Sequence, residues 1–166
     1  MVATTTAKIS LLIKKLESSE LLAHIAQPIS FESGLNFIWH FETRTIQYNP
    51  HDADAEALIL HEVGHAMLDH REYRYDIHLV EMERAAWDTA CEIAPSLGVK
   101  ISKDDVEDSL DTYRDWLHSR STCPCCGSTG VQDGSLNFTC LACHHEWHAN
   151  EARSCQLRRY PTKKRP

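Results

Sequence analysis

Ala57-Leu58-Ile59-Leu60-His61-Glu62-Val63-Gly64-His65 places two imidazoles four residues apart, with a glutamate directly after the first. On an α-helix, positions i and i+4 share a face, so both rings can offer a nitrogen to one metal ion. The stretch reads as such a helix. Ala57, Leu60, Gly64, Met67 and Leu68 supply a separate stripe for burial, Asp52 or Asp54 can cap the start, and the pattern runs to about His70. A zinc ion held by His61 and His65 would acidify a water molecule, and Glu62 beside them could take its proton. That combination makes a nucleophile at neutral pH for attack on an amide carbonyl.

Working outward, Phe37–Phe41 and Thr45–Tyr48 read as two strands of a hairpin closed by Asn49-Pro50, and Ile9, Leu12, Ile13 and Leu16 mark a helix nearer the N-terminus. Downstream, helices are expected over roughly 79–94, ended by Pro95, and over 103–118. A catalytic zinc needs a third protein ligand. Asp88 and Glu92 are carboxylates one turn apart in the otherwise small and apolar stretch Ala85–Ala94. We therefore expect Glu92 as third ligand, with Asp88 orienting a histidine from behind. His78, which a polar loop could bring back, is the alternative. Glu81 and Glu83, at the start of the next helix, are third-ligand candidates too, although acidic residues there more often complement a helix N-terminus, and His70 would be rotated away on a continuing helix. A tyrosine or histidine between residues 70 and 78 is available to stabilise an oxyanion.

The last quarter of the chain has a different character. Cys123 and Cys126, then thirteen residues, then Cys140 and Cys143 form two C-x2-C knuckles around an Asp133-Gly134 turn signal. Four thiolates at this spacing close a tetrahedral structural zinc site, so a zinc ribbon is expected over 119–150. Its metal would supply the folding energy that so small a module lacks. Cys125 is the spare thiol, and Cys91 reads as a core cysteine. Two zinc ions per chain follow, one catalytic and one structural.

At 166 residues, with 42% hydrophobic and 25% charged residues, the composition is that of an ordinary folded chain. The net charge of −7 hides an asymmetry. Residues 1–118 hold 21 acidic and 10 basic side chains, whereas residues 119–166 hold 3 and 7. Arg153, Arg158, Arg159, Lys163, Lys164 and Arg165 are candidates for phosphate contacts in a basic tail over 151–166, with Trp147 and Tyr160 as stacking groups. Four thiolates on one Zn2+ take back about two of those charges. Without a secretory signal or an apolar run long enough to span a bilayer, no membrane partner is expected and the chain reads as cytoplasmic. No Gly-rich phosphate loop or Gly-x-Ser-x-Gly elbow supports nucleotide or serine chemistry.

The hairpin, the Tyr48-Asn49-Pro50 corner, the His61–His65 helix and Trp87-Asp88-Thr89-Ala90-Cys91-Glu92 together resemble the compact glutamate-zincin metallopeptidases. The likeness is greatest to predicted metallopeptidases found beside VWA-like domains, and more distant to ImmA/IrrE-type proteases. It covers roughly residues 35–100, and this chain lacks the Glu-Ala-Asn/Asp stretch usual in the ImmA/IrrE type. It implies zinc held by His61, His65 and an acidic residue, with Glu62 catalytic. SprT-like proteases are similar in architecture, pairing the motif with a more distant histidine and ending in a zinc ribbon. The sequence expectation is thus an α+β chain: a mostly helical zincin-like domain with a small hairpin sheet over 1–118, then the ribbon and tail. Its expected activity is metalloendopeptidase cleavage of an intracellular protein. The alternatives are a SprT-like protease acting on DNA-associated proteins and a non-enzymatic zinc-binding adaptor for nucleic acid or protein.

Overall fold

The computed structural model describes residues 2–22, 27–134, 136–153 and 155–162. The fold is α+β, with four α-helices and two small sheets among the described residues. The chain divides into two compact units that are each discontinuous in sequence: residues 1–71 with 82–106, and residues 72–81 with 107–166.

In the first unit, α1 (Val2–Ser18) buries Ile9, Leu12 and Leu16, one residue every three or four, as an amphipathic helix requires. The strands β1 (Ser30–Ser33), β2 (Ile38–His40) and β3 (Thr45–Tyr48) form a sheet in the order β1-β3-β2. The expected hairpin is present as β2 against β3, with Trp39 opposite Ile46. β1 adds parallel to β3 and makes it central, so Ile46 is fully enclosed. Against this sheet packs α2 (Ala55–Met67), buried from Ile59 through Ala66. Its start differs from expectation: Asp54 makes no side-chain cap, and Asp52 instead accepts a hydrogen bond from the Asp54 amide at 2.9 Å. Its end is a Schellman turn, in which His70 N–H reaches the His65 carbonyl at 3.0 Å and Asp69 N–H reaches Ala66 at 3.3 Å. Asp69 takes the left-handed conformation this turn requires, at φ 52°.

Helix α3 (Asp76–Leu97) starts earlier than the sequence implied and runs through Pro95. A proline in the last turn removes only one amide donor, so the stop is set instead by Gly98 at φ 76°, with Val99 N–H on the Ala94 carbonyl at 3.0 Å. Lys15 Nζ adds a hydrogen bond to the Leu97 carbonyl at 3.0 Å. The buried positions of α3 are Asp76, Leu79, Glu83, Ala86, Trp87, Ala90, Ile93, Ala94 and Leu97, a single stripe at three- and four-residue spacing. Cys91 faces solvent, contrary to its reading as a core residue.

Helix α4 (Lys103–Ser121) runs past the expected end at 118 into the stretch expected to begin the ribbon, and its Arg120 is buried at 1% exposure. In the second unit its guanidinium meets Asp76 through Nε to Oδ2 at 2.5 Å and Nη2 to Oδ1 at 3.2 Å, and its Nη1 donates to the Asn150 carbonyl. Gln132 completes the node, donating to Asp76 Oδ1 and accepting from the Asp76 amide. The four-stranded sheet follows in sequential antiparallel order: β4 (Gly130–Gln132), β5 (Asn137–Cys140), β6 (Glu146–Ala149) and β7 (Arg159–Pro161). Its core is Phe138 stacked on Trp147 at 5.4 Å, with Cys123, Cys140 and Ala149. Gly130 is required beneath that indole, since a Cβ there would come within 2.2 Å of Trp147. β7 pairs with β6, so residues 159–161 of the expected tail are part of the sheet. No helix among the described residues is long and apolar enough to cross a membrane.

Candidate metal centres

Among the described residues, two groups of side chains could hold a metal ion, and each brings its donor atoms within 4.8 Å of one another. The first is His61, His65 and Glu83. Helix α2 presents His61 Nε2 and His65 Nε2 3.1 Å apart, and the buried stripe of α3 delivers Glu83 Oε2 at 3.1 Å from His61 and 3.5 Å from His65. A tetrahedral ion with ligand bonds of about 2.0–2.1 Å has edges of about 3.3–3.4 Å, so the three donors match one tetrahedral face. Burial acts to raise the Glu83 pKa, but the two imidazoles beside it outweigh that and hold the carboxyl well below its ordinary range. The donor set, two imidazoles and one carboxylate, is one zinc accepts.

Glu62 is 8% exposed beside these ligands. Burial holds its carboxyl above its ordinary range, against the pull of His61 and His65 and of a hydrogen bond from the Trp39 backbone amide on β2; the negative Glu83 adds to the rise. Two further contacts set the rings. His61 stacks on Trp87, centroids 4.3 Å apart, while its Nδ1 is buried without a hydrogen-bond partner. His65 Nδ1 lies 2.9 Å from His70 Nδ1. Burial and the adjacent His65 hold the His70 pKa down at about 4.

The expected histidine pair and its glutamate are therefore assembled, but the carboxylate they meet is Glu83. Glu92 and Asp88 lie on the exposed face of α3, off the buried stripe, and so do not join this group. His78 is exposed at the start of α3, its ring edge against Tyr75 at 5.4 Å. Tyr73 donates to Glu151 at 3.1 Å in its own unit, and His70 is engaged by His65. The signal for Glu83 was present in the sequence as a helical phase. Leu79, Glu83, Ala86, Ala90 and Ile93 keep one face, and a charged residue in that register has to find a partner.

The second group is Cys123, Cys126, Cys140 and Cys143, as the spacing implied. Cys123 and Cys143 sulfurs are 3.7 Å apart and Cys126 and Cys140 sulfurs 3.5 Å, close to the edge of about 3.8 Å expected for bonds of about 2.3 Å to zinc. The two knuckles are built alike. Each follows its second cysteine with a left-handed residue, Gly127 at φ 75° and His144 at φ 58°. Hydrogen bonds from Ser128 lower the Cys126 thiol to about 6. The His145 amide favours a Cys143 thiolate, yet Cys126, burial and the other two sulfurs push that thiol up to about 12. Thiols so close cannot all ionise without a cation among them, so this donor set too fits a metal.

The basic candidates are dispersed. Arg158 is exposed, whereas Arg159 Nη1 donates to the Ser119 and Thr122 carbonyls at the end of α4. Trp147 is fully buried and offers no stacking face; Tyr160 is 48% exposed. Lys163, Lys164 and Arg165 lie outside the described residues. Comparison with known proteins returns no matching family model, no matching curated protein and no matching solved structure.

Proposed function

We propose that the chain is a zinc metallopeptidase in which His61, His65 and Glu83 hold the catalytic ion and Glu62 is the general base. The observation that carries this reading is the tetrahedral face formed by the three donors, with a buried carboxylate one residue from the first of them. When bound, zinc supplies Lewis acidity, polarising a carbonyl and acidifying water to near neutrality. The residues supply the rest. Glu62, held basic by its surroundings, accepts a proton and passes it to the leaving amine, while Trp87 and His70 keep the two imidazoles from turning. The substrate class is protein, cleaved at an internal peptide bond. The four cysteines hold a second, structural zinc and the module serves to stabilise or recruit.

The decisive experiment is Glu62→Gln in the full chain. Two zinc ions should remain by metal analysis while cleavage of a peptide library is lost; undiminished cleavage would overturn the mechanism. A second reading, a zinc protein without catalysis that acts as an adaptor for protein or nucleic acid, draws on the low exposure of His61, Glu62, His65 and Glu83, between 5% and 8%. It expects no cleavage by the native chain with both ions bound, and a partner retained equally by native protein and Glu62→Gln.

A further inference from the structure

The two imidazoles of the first metal group are not held alike. His61 relies on stacking against Trp87, and its Nδ1 is orphaned. His65 has a partner on the far side of its ring, and that partner is itself fixed. His70 stands at the second position of the Schellman turn that ends α2, its amide on the His65 carbonyl at 3.0 Å and its own carbonyl accepting from the Trp39 indole N–H at 3.2 Å. The left-handed Asp69 that turns the chain back is anchored by Arg71 at 2.8 Å and Arg44 at 3.4 Å.

Two ring nitrogens 2.9 Å apart share one hydrogen, so one Nδ1 is protonated and the other accepts. The choice is not neutral for the metal. A hydrogen on His65 Nε2 would point at Glu83 Oε2, 3.5 Å away, and occupy the lone pair that an ion needs. A hydrogen on His65 Nδ1, donated to His70 Nδ1, leaves the Nε2 lone pair facing His61 and Glu83. We propose that His70 is a positioning residue that selects the Nδ1–H tautomer of His65 and so preorganises the His61–His65–Glu83 group for zinc. The inference rests on the reading of that group as a zinc site, and it names a residue that would touch neither metal nor substrate. In this arrangement His70 carries its own hydrogen on Nε2 and acts only as an acceptor toward His65.

The test uses three full-length proteins: native, His70→Ala and His70→Asn. Asparagine places an acceptor oxygen where His70 Nδ1 stands, so it should restore what alanine removes. Removing an outer partner of a ligating histidine typically weakens metal binding by about 10–100-fold. Zinc competition with a chelator should show such a loss at one site in His70→Ala, recovery in His70→Asn, and no change at the cysteine site, which serves as the internal measure of intact fold. Independently of any metal, 15N histidine NMR of the metal-free protein should show His65 as the Nδ1–H tautomer in the native and His70→Asn proteins and as Nε2–H in His70→Ala. An Nε2–H His65 in the native protein, or equal zinc affinity in all three, would overturn the proposal. If native protein binds zinc only at the cysteines while the tautomer pattern holds, the zinc reading of the group fails and the role of His70 in setting His65 stands.

Discussion

Gly64 offers a sharp test of how α2 and α3 are held together. A Cβ built on it would lie 2.4 Å from the Ala86 carbonyl oxygen and 3.0 Å from that residue's Cα and carbonyl carbon, all backbone atoms that cannot swing away. Ordinary contact begins near 3.4 Å, so Gly64→Ala must drive the two helices apart by about 1 Å. Alanine would gain about 0.5–1 kcal/mol of helix propensity, whereas overpacking between rigid elements costs about 1–3 kcal/mol. The net expectation is destabilisation by about 1–2 kcal/mol, or a drop of about 2–8 °C in melting temperature for a chain of this length. The displacement also falls where the ligands are. Gly64 immediately precedes His65 and Ala86 follows Glu83 by three residues, so the 3.1 and 3.5 Å separations that define the triad should open with it. Circular-dichroism melting and zinc competition with a chelator would read the two effects. We expect a lower melting temperature together with at least tenfold weaker binding at the histidine site; an unchanged or higher melting temperature with native affinity would refute the close approach of the two backbones.

Further expectations concern other parts of the molecule. Glu83→Ala should lose zinc at the histidine site and leave the cysteine site intact, while Glu92→Ala should leave both unchanged; stoichiometry by metal analysis separates the two assignments. Arg120→Ala strands the buried Asp76 carboxylate and should cost about 3–5 kcal/mol in denaturant unfolding, and Arg120→Met with Asp76→Leu should recover most of it. Chelation should disorder the β4–β7 sheet, followed as loss of amide protection at Phe138 and Trp147; a sheet that keeps its protection without metal would contradict the role given to the cysteines. His144→Gly should stabilise the second knuckle by about 1 kcal/mol, since it removes a side chain from a left-handed position, and an unchanged denaturation midpoint would argue against that conformation.

The parts of this chain legible in its sequence are those whose geometry is local. His61 and His65 share a helix face by spacing alone, and each pair of cysteines closes its own knuckle, so both groups could be named from the residues. The partner carboxylate could not be named so directly, because it depends on which way α3 is rotated. Glu92 stands out against an apolar neighbourhood in sequence, yet the stripe through Leu79, Ala86, Ala90 and Ile93 passes through Glu83 and turns Glu92 to solvent. Long-range pairing was equally hidden: the polar segment Ser30–Ser33 carries little strand signal and becomes β1 only by lying beside β3. Arg120, within a run of serines and threonine, gave no hint of burial because its counter-charge is 44 residues away.

The interleaving of the two units bears on how the protein is made. The chain enters the second unit at residue 72, returns to the first at 82 and leaves it again at 107. During synthesis His61 and His65 therefore emerge with α2, its sheet and its terminal turn, but without the carboxylate eighteen residues later. At that point the group has its two imidazoles and the neighbouring Glu62 but lacks its third donor. Residues 72–81, meanwhile, carry Asp76 out of the ribosome well before Arg120 and the cysteine strands that enclose it. Each unit is discontinuous in sequence, so neither can be excised as one continuous stretch, and the first is complete in sequence at residue 106, before the cysteine strands of the second are made.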